Sequence, residues 1–68
     1  MATGTVLWFN DISAEGRIKA DEDGASIKVS HKAILRQGYK ILDEGQRVSF
    51  DIVRRPSGLE AQSVVLLE

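Results

Sequence analysis

Three short runs in this 68-residue chain alternate apolar and polar residues with a period of two. Val48-Ser49-Phe50-Asp51-Ile52 is the cleanest, and Gly16-Arg17-Ile18-Lys19-Ala20 and Ile27-Lys28-Val29-Ser30 repeat the pattern. Successive side chains of a β-strand point to opposite faces, so such a run buries one face and wets the other. Asp23-Gly24 separates the second and third of these strands, and that dipeptide accepts the positive φ angles of a tight hairpin. Pro56-Ser57-Gly58 marks another turn, ahead of a last stretch from Leu59 to Leu67. With a first strand through Val6-Leu7-Trp8-Phe9, the pattern predicts five strands at about 3–10, 15–21, 25–30, 46–54 and 59–67. The long connection from His31 to Gly45 has room for a helical turn at Lys32-Ala33-Ile34-Leu35, closed off near Gly38.

Five short strands in so small a chain predict an all-β fold, a partly open five-stranded antiparallel Greek-key barrel of the OB-fold type. Its expected interior is Val6, Ile18, Ile27, Val29, Val48, Phe50 and Ile52. No repeat, linker or low-complexity tract interrupts the chain, so residues 1–68 are expected to form one domain around one small core. Stability is marginal at that size.

Composition narrows the chemistry. The absence of cysteine removes disulfides and thiolate metal sites, and it fits an intracellular protein. Met1-Ala2-Thr3 runs straight into the first strand, which is expected to leave no room for a signal peptide. The longest apolar run, Val64-Val65-Leu66-Leu67, is far below a membrane span, so a cytoplasmic domain is the expectation. No enzyme is expected: His31 is the single histidine, and Ser30 beside it would point away from it on a strand. Asp21-Glu22-Asp23 lacks the length and ligand spacing of a calcium loop and reads as a solvated hairpin. Neither a metal nor a cofactor is expected. Nine basic and ten acidic residues give a net charge of −1 and no general attraction to phosphates.

The segment Gly4-Thr5-Val6-Leu7-Trp8-Phe9-Asn10-Asp11 closely resembles the opening strand of bacterial cold-shock domains, small binders of single-stranded nucleic acid. The resemblance continues at Lys32-Ala33-Ile34, at Gly38-Tyr39-Lys40 and along Leu42-Asp43-Glu44-Gly45-Gln46-Arg47-Val48-Ser49-Phe50. It implies the same barrel, single-stranded RNA or DNA as the partner, and a role as an RNA chaperone or regulator of expression. In the family the second strand reads approximately Lys-Gly-Phe-Gly-Phe-Ile and the third Val-Phe-Val-His-Phe. Those motifs fall on Ser13 to Ile18 and on Ile27 to His31. Glu15, Arg17, Lys28 and His31 stand where the family has phenylalanines, Ser30 where it has histidine, and Leu7 and Ser13 where it has lysines. Gly16, Ile18 and Val29 are unchanged, and Ile27 is a conservative exchange. The inward residues are kept and the stacking surface is replaced.

The replacement has a magnitude. Stacking a base on an aromatic ring contributes roughly 1–3 kcal/mol, so losing three or four rings removes about 3–10 kcal/mol. Arg17 offers partial compensation through a planar guanidinium that stacks and bonds phosphate, and Lys28 offers a cation. Glu15 works against both, unless it pairs with Lys28 or Arg17 across neighbouring strands. The candidate nucleic-acid surface is therefore Trp8, Phe9, Asn10, Arg17, Lys28, His31 and Tyr39, with Trp8 turned outward and Asn10 as a base-edge donor. Phe9 also reads as core or rim, and Tyr39 also as packing over the barrel mouth. A second reading from another class is a protein-interaction or regulatory module that has lost strand binding. It rests on Leu7 beside Trp8, with Leu66 and Leu67 extending an apolar patch toward a protein partner or a homodimer.

Overall fold

A computed structural model describes residues 1–35 and 41–67. Among them five strands follow in chain order: β1 (Ala2–Asn10), β2 (Glu15–Ala20), β3 (Ser26–Ser30), β4 (Arg47–Arg55) and β5 (Gly58–Leu66). A 3₁₀ turn at His31–Ala33 follows β3, close to where the helical turn is expected from sequence. The strands close into a barrel in the order β1-β2-β3-β5-β4, with β4 returning to β1. The alternating runs fall on β2, β3 and β4, and their apolar members make the interior.

The expected all-β five-stranded barrel is the observed fold, with two refinements. The barrel is closed, and the β3–β5 seam is parallel, joined at Lys28 and Glu60 and continued by the bridge between Ile34 and Val64. The reason is parity. Strand direction cannot alternate all the way round a ring of five, so one neighbouring pair must run the same way. The seam falls where the chain has left β3 to build β4 and come back.

Val6, Ile18, Ile27, Val29, Val48 and Phe50 are buried as expected, joined by Ala20, Ile34, Leu42, Ala61 and Val64. Ile52 is not in the core; it is 46% exposed. It has the inward phase of β4, but β1 starts opposite Phe50 at Ala2, so no strand covers the barrel wall two residues further on. Phe9, Leu59 and Leu66 pack against the core from its rim.

Two irregularities break the period-two pattern. Val6 pairs with Ile18 but Trp8 pairs with Arg17, so Leu7 is an extra residue in β1. In β5 the register shifts against β4 between Ser49 and Asp51, where Ser63 has a φ of 53°. Such bulges bend and twist a strand, as closing so small a barrel requires.

A polar clasp ties three elements together outside the barrel. The Arg47 guanidinium donates to both carboxylate oxygens of Asp21, with the Nη1 bond at 2.7 Å, and to Thr5 Oγ1 at 2.9 Å. Thr3 Oγ1 donates to the same carboxylate at 2.8 Å. These bonds hold the Asp21 pKa down to about 2. Asp21 is thus bound into the fold, and Asp23 Oδ1 accepts the Ala25 N–H inside the hairpin, where Gly24 has a φ of 72°.

Candidate nucleic-acid interface

Strand register sorts the outward residues into rows. One row runs Trp8 on β1, Arg17 on β2, Lys28 on β3 and Glu60 on β5. A second runs Asn10, Glu15 and Ser30. A third runs Thr5, Lys19 and Ser26. Neighbouring strands lie about 4.8 Å apart, so Trp8 to Lys28 spans roughly 10 Å.

Trp8 reaches this face because of the bulge. Val6 points inward, and an unbroken alternation would send Trp8 inward too; the extra residue at Leu7 leaves both Leu7 (40% exposed) and Trp8 (48% exposed) on the outside. Phe9 then turns in and packs at the rim of the core. Gly16 makes the approach of β1 to β2 feasible. A Cβ there would sit 2.2 Å from the Trp8 carbonyl oxygen and 2.9 Å from the Phe9 Cα, both backbone atoms. Glycine is required at that position for packing, whatever binds outside.

The charges on the face are organised. Arg17 and Lys28 are directly opposite each other, a repulsive placement. The Glu15 carboxylate lies 3.6 Å from the Lys28 ammonium on the diagonal and relieves it. Arg55 pairs with Glu60 at 3.6 Å at the far end of the row. Among the described residues Arg17 makes no ion pair, and it sits directly across from Trp8 in the strand register. The pairing of Lys28 with Glu15 is the cross-strand alternative read from the sequence.

Asn10 is partly committed. Its side-chain oxygen accepts the N–H groups of Ile12 at 2.9 Å and Ser13 at 3.2 Å, which shapes the β1–β2 turn. The side-chain amide N–H groups remain for a ligand. The same turn carries Ala14 at a φ of 59°, whose carbonyl accepts the His31 N–H at 2.9 Å. Ser30 Oγ accepts the Lys32 N–H at 3.2 Å, so His31 starts its turn from a capped and anchored position. His31 is exposed. Tyr39, together with the Gly38-Tyr39-Lys40 stretch, lies outside the described residues.

The structure thus brings Trp8, Arg17 and Lys28 into one row, with Asn10 and His31 at its margin and Phe9 turned to the rim. Glu60 also belongs to the row, placed there by a parallel seam that has no sequence signature. Of the apolar residues, Leu7 adjoins Trp8 in sequence on the surface and Leu67 is exposed. Leu66 is half-buried against the core and adds little to an outer patch.

The fold is a closed five-stranded barrel, and sequence comparison identifies the family. Residues 2–67 match the profile of the 'Cold-shock' DNA-binding domain, and the chain belongs to that family. The cold shock-like protein CspA of Stigmatella aurantiaca is 48% identical over 64 residues, 94% of each chain. The cold shock-like protein CspLB of Listeria monocytogenes is 45% identical over 67 residues, 98% of this chain and all of that one. The cold shock-like protein CspA of Shewanella violacea is 45% identical over 65 residues, 96% of this chain and 93% of its own.

Proposed function

We propose that this protein binds single-stranded RNA or DNA across the outer face of β1, β2 and β3, more weakly and more electrostatically than a barrel with an aromatic platform. The observation that carries the reading is the row of Trp8, Arg17 and Lys28, one exposed indole continued by two cations on adjacent strands. The indole takes a base by stacking, the guanidinium extends that plane, and Lys28 meets a phosphate. Asn10 and His31 flank that row and Phe9 packs at the rim of the core; Tyr39 is proposed as a further stacking residue. A barrel of this kind acts as an RNA chaperone or a modulator of expression by holding strands open, and family membership supports that role.

Titration of Trp8 fluorescence with oligo-dT and oligo-U at low and physiological salt tests the reading. Saturable binding that weakens steeply with salt is expected, since the contacts are largely cationic. No response at low salt would refute it. The exposure of Leu7 beside Trp8 favours a second reading, a surface for a protein partner or a second copy. Leu7→Lys separates the two: it weakens self-association or partner capture under that reading and tightens strand binding under the first.

A further inference from the structure

Glu15 is a member of this face to which strand binding, as described so far, gives no positive role. It stands on the outer side of β2 between Asn10 and Ser30, two residues along from Arg17, or about 7 Å at the usual strand rise. Its pair with Lys28 is 3.6 Å long, with the two side chains 45% and 47% exposed. Such a pair is held weakly and opens readily. The carboxylate is therefore within a base's reach of the row that carries Trp8 and Arg17, and free to change partner.

An ionised carboxylate accepts and never donates, so it sorts bases by what their edges offer. On the Watson–Crick edge of an unpaired base, guanine alone presents two neighbouring donors, N1–H and the 2-amino group, to match two carboxylate oxygens. Adenine and cytosine place an acceptor ring nitrogen beside their single amino group, and thymine and uracil flank one N–H with two carbonyl oxygens. We propose that this face reads guanine in a single strand. The base stacks on Trp8 beside the Arg17 guanidinium, Glu15 accepts from N1–H and the 2-amino group, and Lys28, released from Glu15, turns to a phosphate. The inference rests on the strand-binding reading and deepens it. Repulsion between Glu15 and the backbone disfavours every strand, and a bidentate guanine contact offsets it for one base.

The test uses Trp8 fluorescence with seven-base oligo-dT probes whose central base is thymine, guanine, hypoxanthine, adenine or cytosine. Affinity for the guanine probe should exceed that for the all-thymine probe roughly 5- to 100-fold. Hypoxanthine, which keeps N1–H and lacks the 2-amino group, should fall between them. Glu15→Gln, checked for folding by circular dichroism, should abolish the guanine preference while tightening the all-thymine probe. Binding without guanine preference, or a preference that survives in Glu15→Gln, overturns this inference and leaves strand binding standing. No binding of any probe overturns both.

Discussion

The two faces of β2 and β3 are built to different rules. Gly16, Ile18, Ala20, Ile27 and Val29 point inward and are buried, packed on one another and on Val6, Val48, Phe50 and Val64. Glu15, Arg17, Lys19 and Lys28 alternate with them, facing water with little between them except the Glu15–Lys28 pair. Each member of the inner set is constrained by neighbours on all sides, where a lost methylene leaves a cavity. The outer set is constrained only by what binds there. A barrel can therefore replace its working surface without disturbing its core, and fold alone does not fix the activity.

The contrast is broken most severely from the inside. Ile18 is completely buried, and Ile18→Ala should destabilise the barrel by roughly 2–5 kcal/mol in urea denaturation. That is a large part of the total stability of a small domain. On the outer face, Trp8→Ala should leave unfolding nearly unchanged and remove roughly 1–3 kcal/mol of oligonucleotide affinity. Loss of stability without loss of binding would reverse the assignment of that side chain to the working face.

The clasp at Asp21 gives a pH-dependent effect that neither face produces. Its carboxyl is lowered from 3.8 to about 2 by hydrogen bonds from Arg47 and Thr3. A depressed carboxylate contributes stability that is complete above its unfolded pKa and is lost as pH falls through the folded one. Thermal unfolding should therefore show an acid limb between about pH 4 and pH 2, and Asp21→Asn should lower stability at neutral pH and flatten that limb. An unchanged limb would mean that the clasp is not formed in solution. The smallest effect is expected at Ile52, apolar but half-exposed: Ile52→Thr should shift stability by no more than about 1 kcal/mol. A value near that of Ile18→Ala would place Ile52 in a covered core after all.

Strand positions were legible in the sequence because alternation and turn residues agree; each strand end falls within one residue of its expected place. What escaped is what alternation cannot encode. The bulge at Leu7 carries no glycine to announce it, and Ser63 adopts a left-handed φ that serine rarely takes. The exposure of Ile52 depends on where β1 begins, and the position of Glu60 on the face depends on a long-range seam. The candidate site divides in the same way. Trp8, Arg17 and Lys28 share a row as period and register require, whereas the use of the Asn10 oxygen in its own turn depends on local backbone geometry.

Under the proposed function the barrel is retained and its stacking platform replaced. The most direct measurement compares oligo-dT affinity, by Trp8 fluorescence, between this protein and a variant carrying Glu15→Phe, Arg17→Phe, Lys28→Phe and His31→Phe. Circular dichroism and sedimentation establish that the variant is folded and monodisperse. Affinity should rise by at least about a hundredfold and become less sensitive to salt, as rings take over from cations. A folded variant that binds oligo-dT no better than the parent would contradict the claim.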